Sequence, residues 1–220
     1  VNRFQPGYFL EIGANDGYRF SNSVYLEEYF GWDGLLVEAN PRYAESLLTR
    51  RAPSAMVAIA PTAGQYEFVD AGLVGGIAHT IDGGFMEQRR HAASIEVQGA
   101  RLEHVLDEHD APDVIDFVSV DVEGGEVEIV RQMCQLPNRR FRCGCIEHNI
   151  RKQDDLEIRR LLAKAGYRVV WDHQTAHDLY FVDAQLQAPL TSHLHSENLT
   201  YIIDGYRLSV ISYQRPMTHV

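Results

Sequence analysis

The chain is defined first by what it is short of. No run of 18 or more apolar residues occurs, so nothing in it reads as a membrane-spanning helix. No secretory pattern opens it, although it begins at Val1 rather than Met, which leaves room for an upstream segment carrying a signal. Basic residues are scarce: 20 Lys and Arg stand against 31 Asp and Glu, a formal net charge of −11. That balance argues against a nucleic-acid backbone as partner, and more weakly against acidic macromolecules, unless a local basic pocket overrides it. Only three cysteines are present, Cys134, Cys143 and Cys145, and three cannot all pair within one chain. With no second cysteine or histidine pair at zinc-like spacing, they read as reduced core residues of a cytoplasmic protein. Repeats and low-complexity tracts are missing too. What remains, 220 residues with 45% apolar and 23% charged, suits one α/β domain with an appendage.

The central stretch is Tyr8-Phe-Leu-Glu-Ile-Gly-Ala-Asn-Asp-Gly17. Tyr8 to Ile12 reads as a buried strand that breaks into a glycine turn at its carboxyl end, where open α/β sheets bind ligands. Ser21-Asn-Ser23 offers caps for a helix over 24–30, and Gly31 closes it. Gly34-Leu-Leu-Val-Glu38 is a second strand ending in an acid. Asn40-Pro41 starts a helix with Tyr43, Leu47 and Leu48 on its apolar face, and Ala55 to Ile59 is a third strand. This alternation predicts a parallel sheet with right-handed crossovers. An acid at the end of the second strand, as at Glu38, suits ribose hydroxyls.

Residues 61–100 are the least regular. Gln65 to Val69 and Ile95 to Val97 read as strands around a glycine-rich middle, where Arg89 and Arg90 suit a solvated basic face better than an anion contact. Ile115 to Val122 is the next buried strand, running into Asp121 and Glu123. Glu126 falls in the first turn of the following helix, which turns Val127, Val130 and Met133 inward. Arg142 to Ile146 is a fifth strand ending in Glu147-His148-Asn149. A helix with Leu156, Leu161 and Leu162 inward follows, then strands at 167–171 and 179–182. The domain is expected over 1–183. Residues 184–220 form an extension with a β-hairpin about Asp204-Gly205, in the same domain or as a homo-oligomer contact. His193-x-His195 within it suits a polar loop better than a metal site.

Phe9-Leu-Glu-Ile-Gly-Ala-Asn-Asp-Gly17, Leu36-Val-Glu-Ala-Asn-Pro41, Ile115-Asp-Phe-Val-Ser-Val-Asp-Val-Glu-Gly-Gly-Glu126 and Cys145-Ile-Glu-His-Asn149 together resemble the FkbM family of S-adenosylmethionine-dependent methyltransferases. The resemblance covers about residues 6–183. It implies a class I methyltransferase-like, Rossmann-like, mostly parallel seven-stranded sheet with helices on both faces and its last strand antiparallel. It further implies methyl transfer to a hydroxyl of a sugar, glycan or secondary metabolite. By the same resemblance Glu11, Gly13, Ala14, Asn15, Asp16, Gly17, Glu38 and Ala39 bind the cofactor, S-adenosyl-L-methionine, and Asp121 lies beside the transferred methyl. One departure stands out: the third strand ends Ala58-Ile-Ala60, with no acid for the adenine edge.

The chemistry can be reached independently. A hydroxyl acceptor needs a base, or a metal that lowers its pKa. Asp121, Glu147 and His148 supply either route, as general base or as ligands of Mg²⁺ or another divalent cation. A bland alternative leaves His148 only orienting Glu147. Tyr18, Phe20, Tyr25, Phe85 and Trp171 could line a sugar platform, though core packing is the commoner fate of such residues. Two other functions compete: an NAD(P)-dependent oxidoreductase, and a non-catalytic binding protein that keeps the fold. Against the first, the glycine turn lacks three-glycine dinucleotide spacing and no Tyr-x-x-x-Lys pair occurs. Against the second, a scaffold has no need of acids at neighbouring strand ends.

Overall fold

The computed structural model describes residues 6–80, 89–148, 152–171 and 177–185, and the backbone of 202–203 and 206–207. The strands of the main sheet are β1 (Tyr8–Ile12), β2 (Asp33–Glu38), β3 (Ser54–Met56), β8 (Val114–Val120), β9 (Arg140–Glu147), β10 (Tyr167–Val170) and β11 (Asp178–Asp183). They lie in the order β10-β11-β9-β8-β1-β2-β3. Every pairing from β9 through β3 is parallel, and β11 runs antiparallel to both of its neighbours. The expected class I sheet is therefore present, with β11 as its one reversed strand. The strand order turns back between β1 and β8, the kind of place where a crevice opens outside the strand ends.

Period-two alternation sends the strand residues to two cores. One face buries Leu10, Ile12, Leu35, Val37, Ile115 and Val118 against helices α3 (Leu102–Glu108), α4 (Glu126–Gln135) and α5 (Lys152–Lys164). The other buries Phe9, Leu36, Phe117, Cys143 and Cys145 with Leu47 and Leu26, from α2 (Ala44–Leu47) and α1 (Val24–Phe30). Cys143 and Cys145 are buried core residues, as their spacing predicts, and neither is in a disulfide among the described residues. Gly31, in the left-handed region at φ 69°, closes α1. Ser23 does not cap with its own side chain. Ser21 Oγ instead accepts from the Ser23 and Val24 amides.

Three expectations need correction. The single third strand of 55–59 is broken at Val57: β3 belongs to the main sheet, and β4 (Ala58–Ile59) leaves it to pair with β7 (Ala93–Ala100). The irregular third of the domain is in fact a second sheet, β4-β7-β5-β6, with β5 (Gly64–Asp70) antiparallel to β7 and β6 (Gly76–Ile77) on the outside. Its glycine-rich middle hid the pairing, because Phe68 and Val97 are the only buried side chains larger than glycine in β5 and β7. Leu48 and Leu156, expected inward, are 78% and 57% exposed. Leu47 faces the core in place of Leu48, and Ile158 in place of Leu156.

In the extension, β12 (Ile202–Ile203) pairs antiparallel with β13 (Tyr206–Arg207), as its own two-stranded sheet. Asp204-Gly205, His193, His195, Phe85 and Asn149 lie outside the described residues. Among the described residues no helix is long and apolar enough to cross a membrane.

Candidate active site

A cavity of about 430 Å³ opens where the strand order reverses, a volume in the range of small-molecule sites. Its floor is the turn after β1. Gly13 adopts φ 89°, and a Cβ there would sit 1.6 Å from the Asp121 carbonyl oxygen. Only glycine lets β1 and β8 end this close together, with the Asp121 amide on the Ile12 carbonyl at 2.9 Å. The glycine is thus required by the backbone that builds the crevice.

Two acids reach the cavity from β1 and β2, and both are nearly saturated with donors. Glu11, 4% exposed, accepts from Ser23 Oγ at 2.5 Å, Ser21 Oγ at 2.8 Å and the Asn22 amide at 2.8 Å. Glu38, 7% exposed, accepts from the Asn15 and Asn40 amides, each at 2.7 Å. Burial raises both carboxyls above their ordinary range, and these donors oppose the rise. Each glutamate ties a loop to its strand end and lines the cavity.

The acids from β8, β9 and β11 have a different setting. The β8–β9 register pairs Ser119 with Cys145, so Asp121 and Glu147 leave the sheet side by side. Carboxylate oxygens of Asp121, Glu123 and Glu147 lie within 4.8 Å of one another. Burial, then a shared hydrogen bond with Asp121 and that group's charge, push Glu147 up to about 10. Asp178 is raised too, by burial and then by Asp121. Glu123, at φ 60°, is paired with Arg89 at 3.2 Å, and Arg89 Nε also donates to the Val74 carbonyl at 2.7 Å. Arg89 is therefore a buried tie between the second sheet and the loop after β8, not a solvated cation.

Glu11, Gly13, Ala14, Asn15, Glu38, Ala39, Asp121 and Glu147 all line the cavity. Asp16 and Gly17 stand behind it: Asp16 Oδ1 accepts from the Tyr18 and Arg19 amides, and the Gly17 carbonyl accepts from Arg50. His148 is a correction. One residue after Glu147, alternation turns it toward α5, where Nε2 lies 4.0 Å from Asp155 and Nδ1 is buried with no hydrogen-bond partner among the described residues. It is not part of the cavity wall, so the trio that meets is Asp121, Glu123 and Glu147, not Asp121, Glu147 and His148.

Several lining residues escaped the sequence reading. His177 and Asp178 arrive because β11 is antiparallel and so brings its first residues to the rim where the parallel strands end. An antiparallel last strand was the available signal. Val57, Ala58 and Ile59 join Phe68, Leu73, Val74 and Ile77 in an apolar wall on the β2–β3 side. Arg50 is buried, pairs with Glu27 at 3.2 Å, and reaches Ser23 behind Glu11.

The Methyltransferase FkbM domain model matches residues 11–169, well over half of the chain. The chain belongs to the FkbM methyltransferase family. Among solved structures, the FkbM methyltransferase from Methylobacillus flagellatus KT is 12% identical at a TM-score of 0.51, over 80% of this chain. This chain spans only 43% of that one. The precorrin-6y C5,15-methyltransferase of Geobacter metallireducens GS-15 is 14% identical (TM-score 0.42), covering 82% of this chain and 80% of its own. The N-terminal domain of human METTL16 is also 14% identical (TM-score 0.43), with 84% and 63% covered. No curated protein matches in sequence. Membership places the chain in a family of methyltransferases, which implies S-adenosylmethionine as cofactor and gives no support to the oxidoreductase alternative.

The site fits that cofactor. A buried carboxylate at the end of β2 suits ribose hydroxyls, the apolar wall suits an aromatic base where no acid follows β3, and the acidic surround suits a sulfonium cation.

Proposed function

We propose that this FkbM domain is an O-methyltransferase acting on a hydroxyl of a sugar, glycan or other small metabolite. The observation that carries the reading is the juxtaposition of Asp121 and Glu147 at the reversal of strand order, beside the glycine turn. When bound, S-adenosylmethionine supplies an electrophilic methyl group. Glu38 holds the ribose end, and the loop pinned by Glu11 (Ser21 and Asn22) faces the amino-acid end. Asp121 would accept the acceptor's hydroxyl proton as the oxygen–methyl bond forms and the sulfonium–methyl bond breaks to leave S-adenosylhomocysteine, while Glu147, holding its own proton, donates a hydrogen bond to Asp121. The second sheet, held down by Arg89, excludes water from above.

A divalent cation belongs to the same proposal. Asp121, Glu123 and Glu147 offer all-oxygen ligation of the kind hard cations take, and a bound ion would lower the hydroxyl's pKa. Arg89 competes with it at Glu123. Thiols not joined in disulfides support a reducing, cytoplasmic setting.

The test is transfer of a labelled methyl group from S-adenosylmethionine to a panel of hydroxylated sugars and matched amino sugars, with and without EDTA. Label on oxygen supports the reading; label only on nitrogen overturns O-specificity. Turnover unaffected by EDTA removes the metal and leaves Asp121 as sole base.

A further inference from the structure

At the mouth of the cavity the chain does something costly. Phe20 is 74% exposed, and its backbone sits at φ 63°, a region bulky L-residues avoid. Strain of this kind persists only where surrounding structure enforces it, and it gathers at ligand sites. Here the enforcement is visible. Asp16 Oδ1 takes two amides of the turn, Ser46 Oγ donates to the Asp16 carbonyl at 2.7 Å, and Tyr18 Oη meets Thr49 Oγ1 at 2.8 Å. On the far side Ser21 is tied to Glu11. Between these anchors the side chains of Arg19 and Phe20 take no part in holding the loop, and both line the cavity.

Arg19 lies over the Phe20 ring at 5.0 Å. Among the described residues no carboxylate pairs with it, and it is the one Arg or Lys among the lining side chains. Stacking fixes the guanidinium plane and leaves N–H groups free for a bidentate anion. Deeper in, Asp121 and Asp178 line the cavity, with Glu123 matched by Arg89, so the inner wall disfavours a negative group. An acceptor with an anion is thereby turned one way: anion at the mouth on Arg19, ring face on Phe20, hydroxyl inward toward Asp121.

We propose that Arg19 and Phe20 form the acceptor seat of this enzyme, and that the acceptor is a hydroxylated ring bearing a phosphate or carboxylate group. This rests on the methyltransferase reading above.

The experiment uses the whole chain with S-adenosylhomocysteine, measured by calorimetry, and then adds glucose 6-phosphate, glucuronate or methyl glucoside to the loaded protein. Homocysteine-product binding comes first: its absence would sink the methyltransferase reading, not the seat alone. Given that binding, at least one charged sugar should bind at least about tenfold tighter than methyl glucoside. Which one does so tells phosphate from carboxylate. Arg19→Gln should erase the difference and Phe20→Ala should weaken every sugar that binds, both with S-adenosylhomocysteine affinity unchanged. Phe20→Gly should also weaken the sugars yet raise Tm, because glycine removes the backbone strain. The seat is overturned if no sugar binds, if methyl glucoside binds as well as both charged sugars, or if Arg19→Gln weakens S-adenosylhomocysteine, which would assign Arg19 to the cofactor's carboxylate.

Discussion

The two ends of the cavity treat carboxylates in opposite ways. At the β1–β2 end, Glu11 is ringed by hydroxyl and amide donors and Glu38 by backbone amides, and burial is the first cause raising both. At the β8–β9 end, burial is again the first cause for Glu147, but the second is another acid. Donors around a carboxylate make it a structural tie and a fixed acceptor for neutral ligand hydroxyls. A second carboxylate around it makes it a proton holder, because two charges this close cannot both stay ionised at low cost. On the proposed reading, one cavity thus has a holding end and a reacting end.

That contrast can be broken by substitution. The largest effect is expected at the reacting end: Asp121→Asn should lower turnover about 10²- to 10⁴-fold, while Tm holds, because the Asn side-chain oxygen still accepts from the protonated Glu147; steady-state kinetics and a thermal melt check both. The holding end should behave inversely. Glu38→Ala strands the Asn15 and Asn40 amides and should cost roughly 1–3 kcal/mol in urea unfolding, with S-adenosylhomocysteine affinity falling as well. pH sharpens the difference. Glu147 has a folded pKa of about 10, above its ordinary value of 4.5, so its stabilising contribution is complete below that ordinary value and is lost as pH rises through the folded one. Wild-type stability should therefore fall more steeply between about pH 5 and pH 9 than that of Glu147→Gln. The smallest effect belongs outside both ends: Leu156→Lys, on the solvent face of α5, should stay within about 0.5 kcal/mol of wild type.

The main sheet was legible because its strands are short apolar runs ending in polar residues, and Tyr8–Ile12, Asp33–Glu38 and Val114–Val120 announce themselves that way. The second sheet was not. Half-exposed strands such as Gly64–Asp70 carry little apolar signal, and their partners are far apart in sequence. Glu11, Glu38, Asp121 and Glu147 were found because each ends a core strand, or nearly so. His148 was misplaced by a single step of alternation, which carries it to Asp155 and away from Asp121. Asp178 was passed over because it begins a strand, and only the reversed direction of β11 makes a strand's beginning part of the rim.

The most direct measurement is a crystal structure with S-adenosylhomocysteine. The account predicts the ligand across the Gly13 turn, ribose hydroxyls on Glu38, adenine against Phe68 and Ile59, and the sulfur turned toward Asp121. A ligand elsewhere, or one whose sulfur faces away from Asp121 and Glu147, would contradict it.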